Sequence, residues 1–511
     1  MAQDEKQGRT TYDVTVVGGG SAGSVLAARL SEDAKRNVLL LEAGHVYPTG
    51  QLPLDFYSSY HVGGNPKNDW GFKSEPGIVG HPIELLRGKL LGGCSAVNAA
   101  VAARGLPIDY DRWAAAGNPG WTWKDVLPVF MRLENDPTGD PRWHGKTGPF
   151  PVRKHTREEL TPMQRAFLDA NVALGYPLVD DQNGLKPAGV GIYRMNIING
   201  VRQNAAMVYL TDKVRERPNL TIQGDTLVDR VLFEGQRARG IRLASGQEVK
   251  TQQVILSAGT YESAAILLRS GIGPAEQLRS LGIQLVKDLP VGQNLVDHPF
   301  FPVTFAAKPD RVGAVNPPVA TLLWSKSTTA AAGELDLHIT ATHLADQAKS
   351  PTGAAFLLAV ALTQPRSRGT VKLVSTDPEV APVIDLNFLA NADDRARMVE
   401  GVRLARRLAA TEPLAGLIAS EMVPGPRSQT DAELVTAINK DLHTYHHPVG
   451  SAPMGPAGSP KAVVDASGRI HGLKGLAVID ASIMPSPISH ATGLPTIMIA
   501  EHLAGQFKHP A

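Results

Sequence analysis

The stretch from Tyr12 to Glu42 restricts what this chain can fold into more than any other part of it. Residues 12–17 read as a buried strand, because Val14, Val16 and Val17 are β-branched. Gly18, Gly20 and Gly23 follow, then a helical run over 25–30, then a second apolar strand over 37–41 that closes on Glu42. Strand, glycine turn, helix and strand make a βαβ unit, the opening of a doubly wound parallel sheet. Such a turn lets the backbone approach a pyrophosphate and aims the positive end of a helix at it, while an acid about twenty residues on takes a ribose. Gly18, Gly20, Gly23 and Glu42 are thus candidate dinucleotide contacts. The unit leaves FAD and NAD both open, as well as a glycine-rich turn that serves packing alone.

The chain has 511 residues, more than one core usually supports, so a second domain is expected. From Thr221 the pattern changes to short alternating segments over 227–233 and 240–243, followed by an apolar strand over 253–257 ahead of Ala258 and Gly259. These read as a return to the nucleotide-binding domain. Between 301 and 424 the character differs: strands are expected over 336–342, 355–363 and 370–375, and a helix over 393–410. A buried strand over 476–480 and an apolar helix over 496–503 then close the first domain, so the chain leaves one domain and re-enters it.

Charge and cysteine usage narrow the partners. The net charge of +2, from 51 basic and 49 acidic residues without a long basic run, gives no footprint for nucleic acid or an anionic membrane. Cys94 is the single cysteine, which excludes an internal disulfide and any cysteine-built zinc or iron–sulfur centre and fits a reducing, cytoplasmic location. The polar leader runs directly into the first strand, and no apolar stretch reaches the roughly 18 residues of a membrane span, so neither secretion nor a span is expected.

Five strings carry the chemistry. Arg87-Gly-Lys-Leu-Leu-Gly-Gly-Cys-Ser-Ala-Val-Asn98 is a second glycine loop, and Ala258-Gly-Thr-Tyr-Glu-Ser-Ala-Ala-Ile-Leu-Leu-Arg-Ser-Gly-Ile-Gly273 follows the strand over 253–257. Gly292-Gln-Asn-Leu-Val-Asp-His298, Tyr445-His-His-Pro-Val-Gly450 and Val478-Ile-Asp-Ala-Ser-Ile-Met-Pro485 come later. In this order the five resemble the signatures of the glucose-methanol-choline oxidoreductase family across nearly the whole chain, with Ala264 where the family usually has Pro or Ser. The resemblance implies FAD, with Gly18, Gly20, Ser21 and Gly23 at the pyrophosphate, Glu42 at the adenosine ribose and Val228 beside the adenine. It places Gly93, Cys94, Asn98, Asp480 and Ala481 along the ribityl chain and ring. Some members attach FAD through a histidine just before that asparagine; Val97 stands there, so noncovalent FAD is expected. The expected fold is α/β: a doubly wound, Rossmann-like FAD-binding domain from 1–155, 217–300 and 456–511, and an α+β substrate domain on an antiparallel sheet from 156–216 and 301–455.

Taking a hydride from a carbinol carbon is easier once the hydroxyl proton has left, so a base is needed beside the flavin ring. Histidine suits the task because its ordinary pKa lies near neutrality. The family's active-site histidine precedes a proline, and the resemblance gives that role to His447, ahead of Pro448. The expected reaction is oxidation of a small-molecule alcohol to an aldehyde or ketone, with oxygen or another acceptor taking the electrons. His298 and His446 read as packed side chains, and Pro448 spoils helical metal spacing for His443, His446 and His447, so no metal is expected. One position departs from the family. Where a second His or Asn usually precedes the terminal helix, this chain has Gly493, which leaves His490, Thr492 or a water to substitute, with His490 the second catalytic candidate. That departure keeps two other chemistries of this scaffold in view, hydroxynitrile lyase and fatty acid photodecarboxylase, beside a flavoprotein without turnover. Cys94 lies in the FAD loop rather than near the substrate, which argues against photodecarboxylation. The sequence carries no signature of oligomeric state.

Overall fold

The computed structural model describes residues 11–507, so the polar leader over 1–10 and the tail over 508–511 lie outside the described residues. β1 (Thr11–Val17) and β2 (Val38–Leu41) are parallel, Val14 opposite Val38 through Val17 opposite Leu41, with α1 (Ser21–Leu30) crossing between them. Every residue of β2 is apolar and buried, as expected of a parallel strand covered on both faces. β3 (Leu220–Gln223) adds to the outer side of β2. β4 (Val228–Glu234) and β5 (Arg237–Leu243) form an antiparallel hairpin turned at Gly235, whose φ is +58°. β6 (Glu248–Leu256) then returns parallel to β1, giving the order β3-β2-β1-β6-β5-β4, and leads into α2 (Gly259–Arg269).

The second sheet is built by β7 (Pro299–Ala307), β8 (Val319–Ser325), β9 (Leu337–Thr342) and β10 (Ala355–Leu362), all antiparallel to their neighbours. α3 (Ala392–Ala409) covers one face of it. Gly401 allows that approach, since a Cβ there would stand 2.6 Å from Val360 Cγ1. β11 (Ile418–Val423) and β12 (His443–Thr444) both pair with β7, while Gly189–Ile192 and Leu178–Val179 extend the far edge beyond β8. The strand expected over 370–375 does not belong to this sheet. Only Thr370–Lys372 is extended, and it pairs with Val383–Asp385 in a separate two-stranded unit. β propensity marks a segment that fits a pleated surface without saying which edge it joins.

The chain finally returns to the first sheet. β13 (Leu476–Val478) lies parallel to the end of β6, and α4 (Gly493–Ala504) packs on α1, where Arg29 donates to Glu501 at 2.8 Å. Elsewhere a buried ion cluster fastens the segment after the second glycine loop to the far edge of the second sheet. Arg104 pairs with Glu134, Arg194 with Asp136 and Asp181, and His144 bridges Glu134 at 2.9 Å and Asp181 at 2.8 Å. Glu134, Asp136 and His144 stand close enough together to grip a metal, yet the two guanidinium groups already neutralise those carboxylates. Among the described residues, no helix is long and apolar enough to cross a membrane.

Candidate active site

Two glycine turns meet at the C-terminal edge of the first sheet. Gly18 takes φ +95°, and a Cβ on it would lie 2.5 Å from the carbonyl oxygen of Ser257. Gly93, φ +51°, comes so near the first turn that a Cβ would sit 2.7 Å from Gly20 Cα. Between and beside these turns opens a cleft, lined by Gly18, Gly20, Ser21, Glu42, Gly93, Cys94, Val228, Asp480 and Ala481 among others. α1 begins there without a side-chain cap, so backbone N–H groups of its first turn remain open to an anion. Gly23 is not on the surface of the cleft; a Cβ there would collide with the Gly18 oxygen at 1.8 Å, so it seats the helix on its own turn.

Two of the acids that line the cleft, Glu42 and Asp480, are held differently. Glu42 accepts from Gly19 N and Gly44 N, each at 2.8 Å, and burial raises its carboxyl to about 7 against those two donors. Asp480 accepts from Gly259 N at 2.9 Å, Ser263 Oγ at 2.6 Å, Ser482 N at 2.8 Å and the Ser482 hydroxyl. Four bonds fill a carboxylate's acceptor sites, so the Asp480 side chain organises the start of α2 rather than offering lone pairs to a ligand. Arg87, Trp70, Phe72, Tyr261 and Thr260 also line the cleft and were not singled out from the sequence. Arg87 and Tyr261 lie inside recognised strings, whereas Trp70 and Phe72, stacked with centroids 5.5 Å apart, follow no pattern that could have marked them.

Pro448 lines the same cleft, and His447 precedes it. The loop is shaped by Asp297, a buried carboxylate at the start of β7. Its Oδ1 accepts from the backbone N of His298 at 2.7 Å and of His447 at 2.8 Å, and its Oδ2 from Thr444 Oγ1 at 2.6 Å. His446 takes φ +62°, rare for a side chain of its size, and its carbonyl receives Arg87 Nη2 at 2.8 Å. That kink turns His447 inward, where its Nδ1 lies 3.0 Å from His298 Nδ1. His298, read from the sequence as packing, is therefore the direct partner of His447.

His490 does not join that pair. It is buried among His338, Trp324 and Tyr193, at centroid distances of 4.5, 4.9 and 5.7 Å. Its Nδ1 accepts from Ala491 N at 2.7 Å, so its proton sits on Nε2, which is buried without a partner among the described residues. Burial pushes His298 and His490 down to about 3 and takes His338 and His447 well below the usual imidazole range, and neighbouring imidazoles add to the shifts of His490, His338 and His447. All four rings are neutral around pH 7, and His447 keeps part of its surface accessible. A chain of hydroxyls, Tyr193 to Thr340 at 2.7 Å and Thr340 to Tyr445 at 2.9 Å, runs beside them. Asn98 is outside the dinucleotide cleft; its Oδ1 accepts from Ala100 N, and its Nδ2 lies 3.4 Å from where a Cβ on Gly493 would be. The side chain missing at Gly493 thus faces an amide. Val97 is buried with Phe56, Leu90 and Ala96.

Comparison with known proteins bears on the whole chain. It is 34% identical over 532 residues to the oxygen-dependent choline dehydrogenase of Staphylococcus saprophyticus, covering 97% of this chain and 94% of that one. The mitochondrial choline dehydrogenase of Mus musculus is 35% identical over 543 residues, covering 99% and 91%. Among solved structures, pyridoxine 4-oxidase from Mesorbium loti superposes with a TM-score of 0.89 at 34% identity, covering 97% of this chain and 99% of that one. An Aspergillus oryzae formate oxidase gives a TM-score of 0.89 at 26% identity, covering 98% of each. GMC oxidoreductase sequences match this one with their N-terminal part over residues 12–300 and their C-terminal part over 365–500, and the chain accordingly belongs to the GMC oxidoreductase family.

Proposed function

We propose that this chain holds FAD noncovalently in the cleft and oxidises a primary or secondary alcohol, with His447 as the general base. The observation that carries the reading is continuity: one cleft runs from the Gly18 turn and Glu42 to Pro448, the residue next to His447. The residues fit FAD. The two turns leave no room for a Cβ where a pyrophosphate would pass, and the open start of α1 supplies donors for it. Gly18, Gly20 and Ser21 would hold the pyrophosphate, Glu42 the adenosine ribose, Val228 the adenine, and Gly93, Cys94 and Ala481 the ribityl end. Val97 packs into an apolar cluster and offers no nucleophile, which favours noncovalent binding.

When bound, FAD supplies the acceptor for the hydride leaving the carbinol carbon. The protein's part is to move the proton and fix the oxygen. His447, neutral and partly accessible, takes the hydroxyl proton, and the Nε2–H of His490, without a partner among the described residues, is a donor for the oxygen as negative charge grows on it. His447→Ala is expected to keep its flavin colour and to lose about 10² to 10⁴ in the rate at which an alcohol bleaches it without air. Choline, pyridoxine and benzyl alcohol make the first panel, since the relatives are named for choline and pyridoxine. Admitting air then separates an oxidase, which recolours fast, from a dehydrogenase. If no alcohol bleaches a flavin that is plainly bound, alcohol oxidation is refuted and cyanohydrin cleavage should be assayed.

A further inference from the structure

We propose that His298 is a positioning residue: by accepting the Nδ1–H of His447 on its own Nδ1, it holds His447 in the tautomer whose Nε2 is free to take the substrate's hydroxyl proton. The proposal rests on the reading of His447 as the base. The two Nδ1 atoms are 3.0 Å apart and the rings cross at 84°, so one proton lies between them. Which ring owns it follows from the other nitrogens. His298 is wholly buried, and its Nε2 makes no completed hydrogen bond. A base must present a bare Nε2 to the hydroxyl, and neutral His447 does so only with its proton on Nδ1, where it meets Nδ1 of His298. His298 then carries its own proton on Nε2, and its Nδ1 is left to accept.

The pairing is built into the fold rather than a chance approach of two side chains. Asp297 accepts the backbone N–H of both histidines, and Tyr445 N donates to the His298 carbonyl at 2.8 Å, so β7 and the loop after β12 carry the two rings as one unit. In the proton transfer the substrate O–H bond breaks and an Nε2–H bond forms on His447. The ring becomes an imidazolium whose Nδ1–H still points at His298, and the positive charge strengthens that bond. Positioning and charge stabilisation then come from the same contact, although His298 itself does not line the cleft.

The test uses the FAD-loaded enzyme labelled with ¹⁵N histidine, whose ring resonances report which nitrogen of a neutral imidazole is protonated. The His447 signals are identified by their loss in His447→Ala. In the wild type they should show a protonated Nδ1 and a bare Nε2. In His298→Leu they should move towards the Nε2–H form, and anaerobic bleaching by the best alcohol should slow about 10- to 100-fold, the range for losing a group that orients a reacting imidazole. His298→Asn, whose Oδ1 can accept the same proton, should recover most of the rate and the Nδ1–H signal. A wild-type His447 protonated on Nε2 overturns the proposal, and needs no variant to fold. So does an unchanged rate in His298→Leu while His447→Ala stays slow. Wild-type bleaching by His447→Ala would instead refute the base assignment, leaving the tautomer measured separately.

Discussion

At the scale of single residues, Glu42 shows how one side chain serves two ends. It closes the first glycine turn by accepting from Gly19 N and the chain after β2 by accepting from Gly44 N, both inside the protein. Glu42→Ala would leave two buried donors unpaired, at roughly 1–3 kcal/mol each, and should lower both the urea midpoint and FAD retention on dialysis. Glu42→Gln keeps one acceptor, and since burial already lifts this carboxyl to about 7, loss of its charge should be tolerated far better. Equal damage from both variants would mean that charge, not hydrogen bonding, matters there. Residue roles divided sharply in how readable they were. Glycine turns announce themselves because backbone geometry demands particular residues in a short string, and the His447-Pro448 pair was picked out by its resemblance to a family string. The part played by His298 does not, because it exists only between atoms 149 positions apart, and no spacing rule connects them.

At the scale of elements, the approach of the two turns is the feature most easily disturbed. Gly93→Ala adds a left-handed alanine, at about 1–2 kcal/mol, and a clash with Gly20 Cα that only a shift of backbone relieves. The protein should fold with normal circular dichroism yet purify with little FAD. Gly235→Ala is the control: its φ is also positive, at +58°, but nothing lies within 4 Å of the added carbon, so it should lose a similar increment of stability and keep its flavin. Full FAD content in Gly93→Ala would show that the turns separate without harm. β1, β2, β9, β10 and α3 were legible nearly to the residue, because buried apolar strands and a long amphipathic helix write their period into the sequence, whereas β6 was read only over its last part and β7 and β8 were not read at all. The segment over 370–375 was misplaced because propensity is local and pairing is not.

At the scale of the molecule, the balance of buried titratable groups sets how stability depends on pH. His298, His338, His343, His446, His447 and His490 all have folded pKa values pushed down by burial. They stay neutral in the fold while the unfolded chain takes up protons, so their contribution is present above about 6.5 and is lost as pH falls. Glu42, Asp109 and Asp297, raised by burial to about 7, 6 and 6, act in the opposite sense, and so does His144, raised because Asp181 and Glu134 outweigh its burial. Glu262 and Asp480 are raised as well, but with His155, His443 and His502, also lowered by burial, the depressed histidines outnumber the raised groups. Thermal stability should therefore rise from about pH 4.5 to 6.5, and a melting temperature that is flat or falls over that range would contradict this balance.

The return of the chain to its first sheet carries a consequence for how the protein folds. The cleft is unfinished until β13 lies on β6 and α4 sits on α1, clasped by the Arg29–Glu501 pair that joins residues 472 positions apart. Thr492 and Thr496, at the start of α4, are part of its wall. The glycine turns of one wall and α4 of the other stand nearly the whole described chain apart, so the cleft is a product of long-range folding and no single stretch of sequence can preform it.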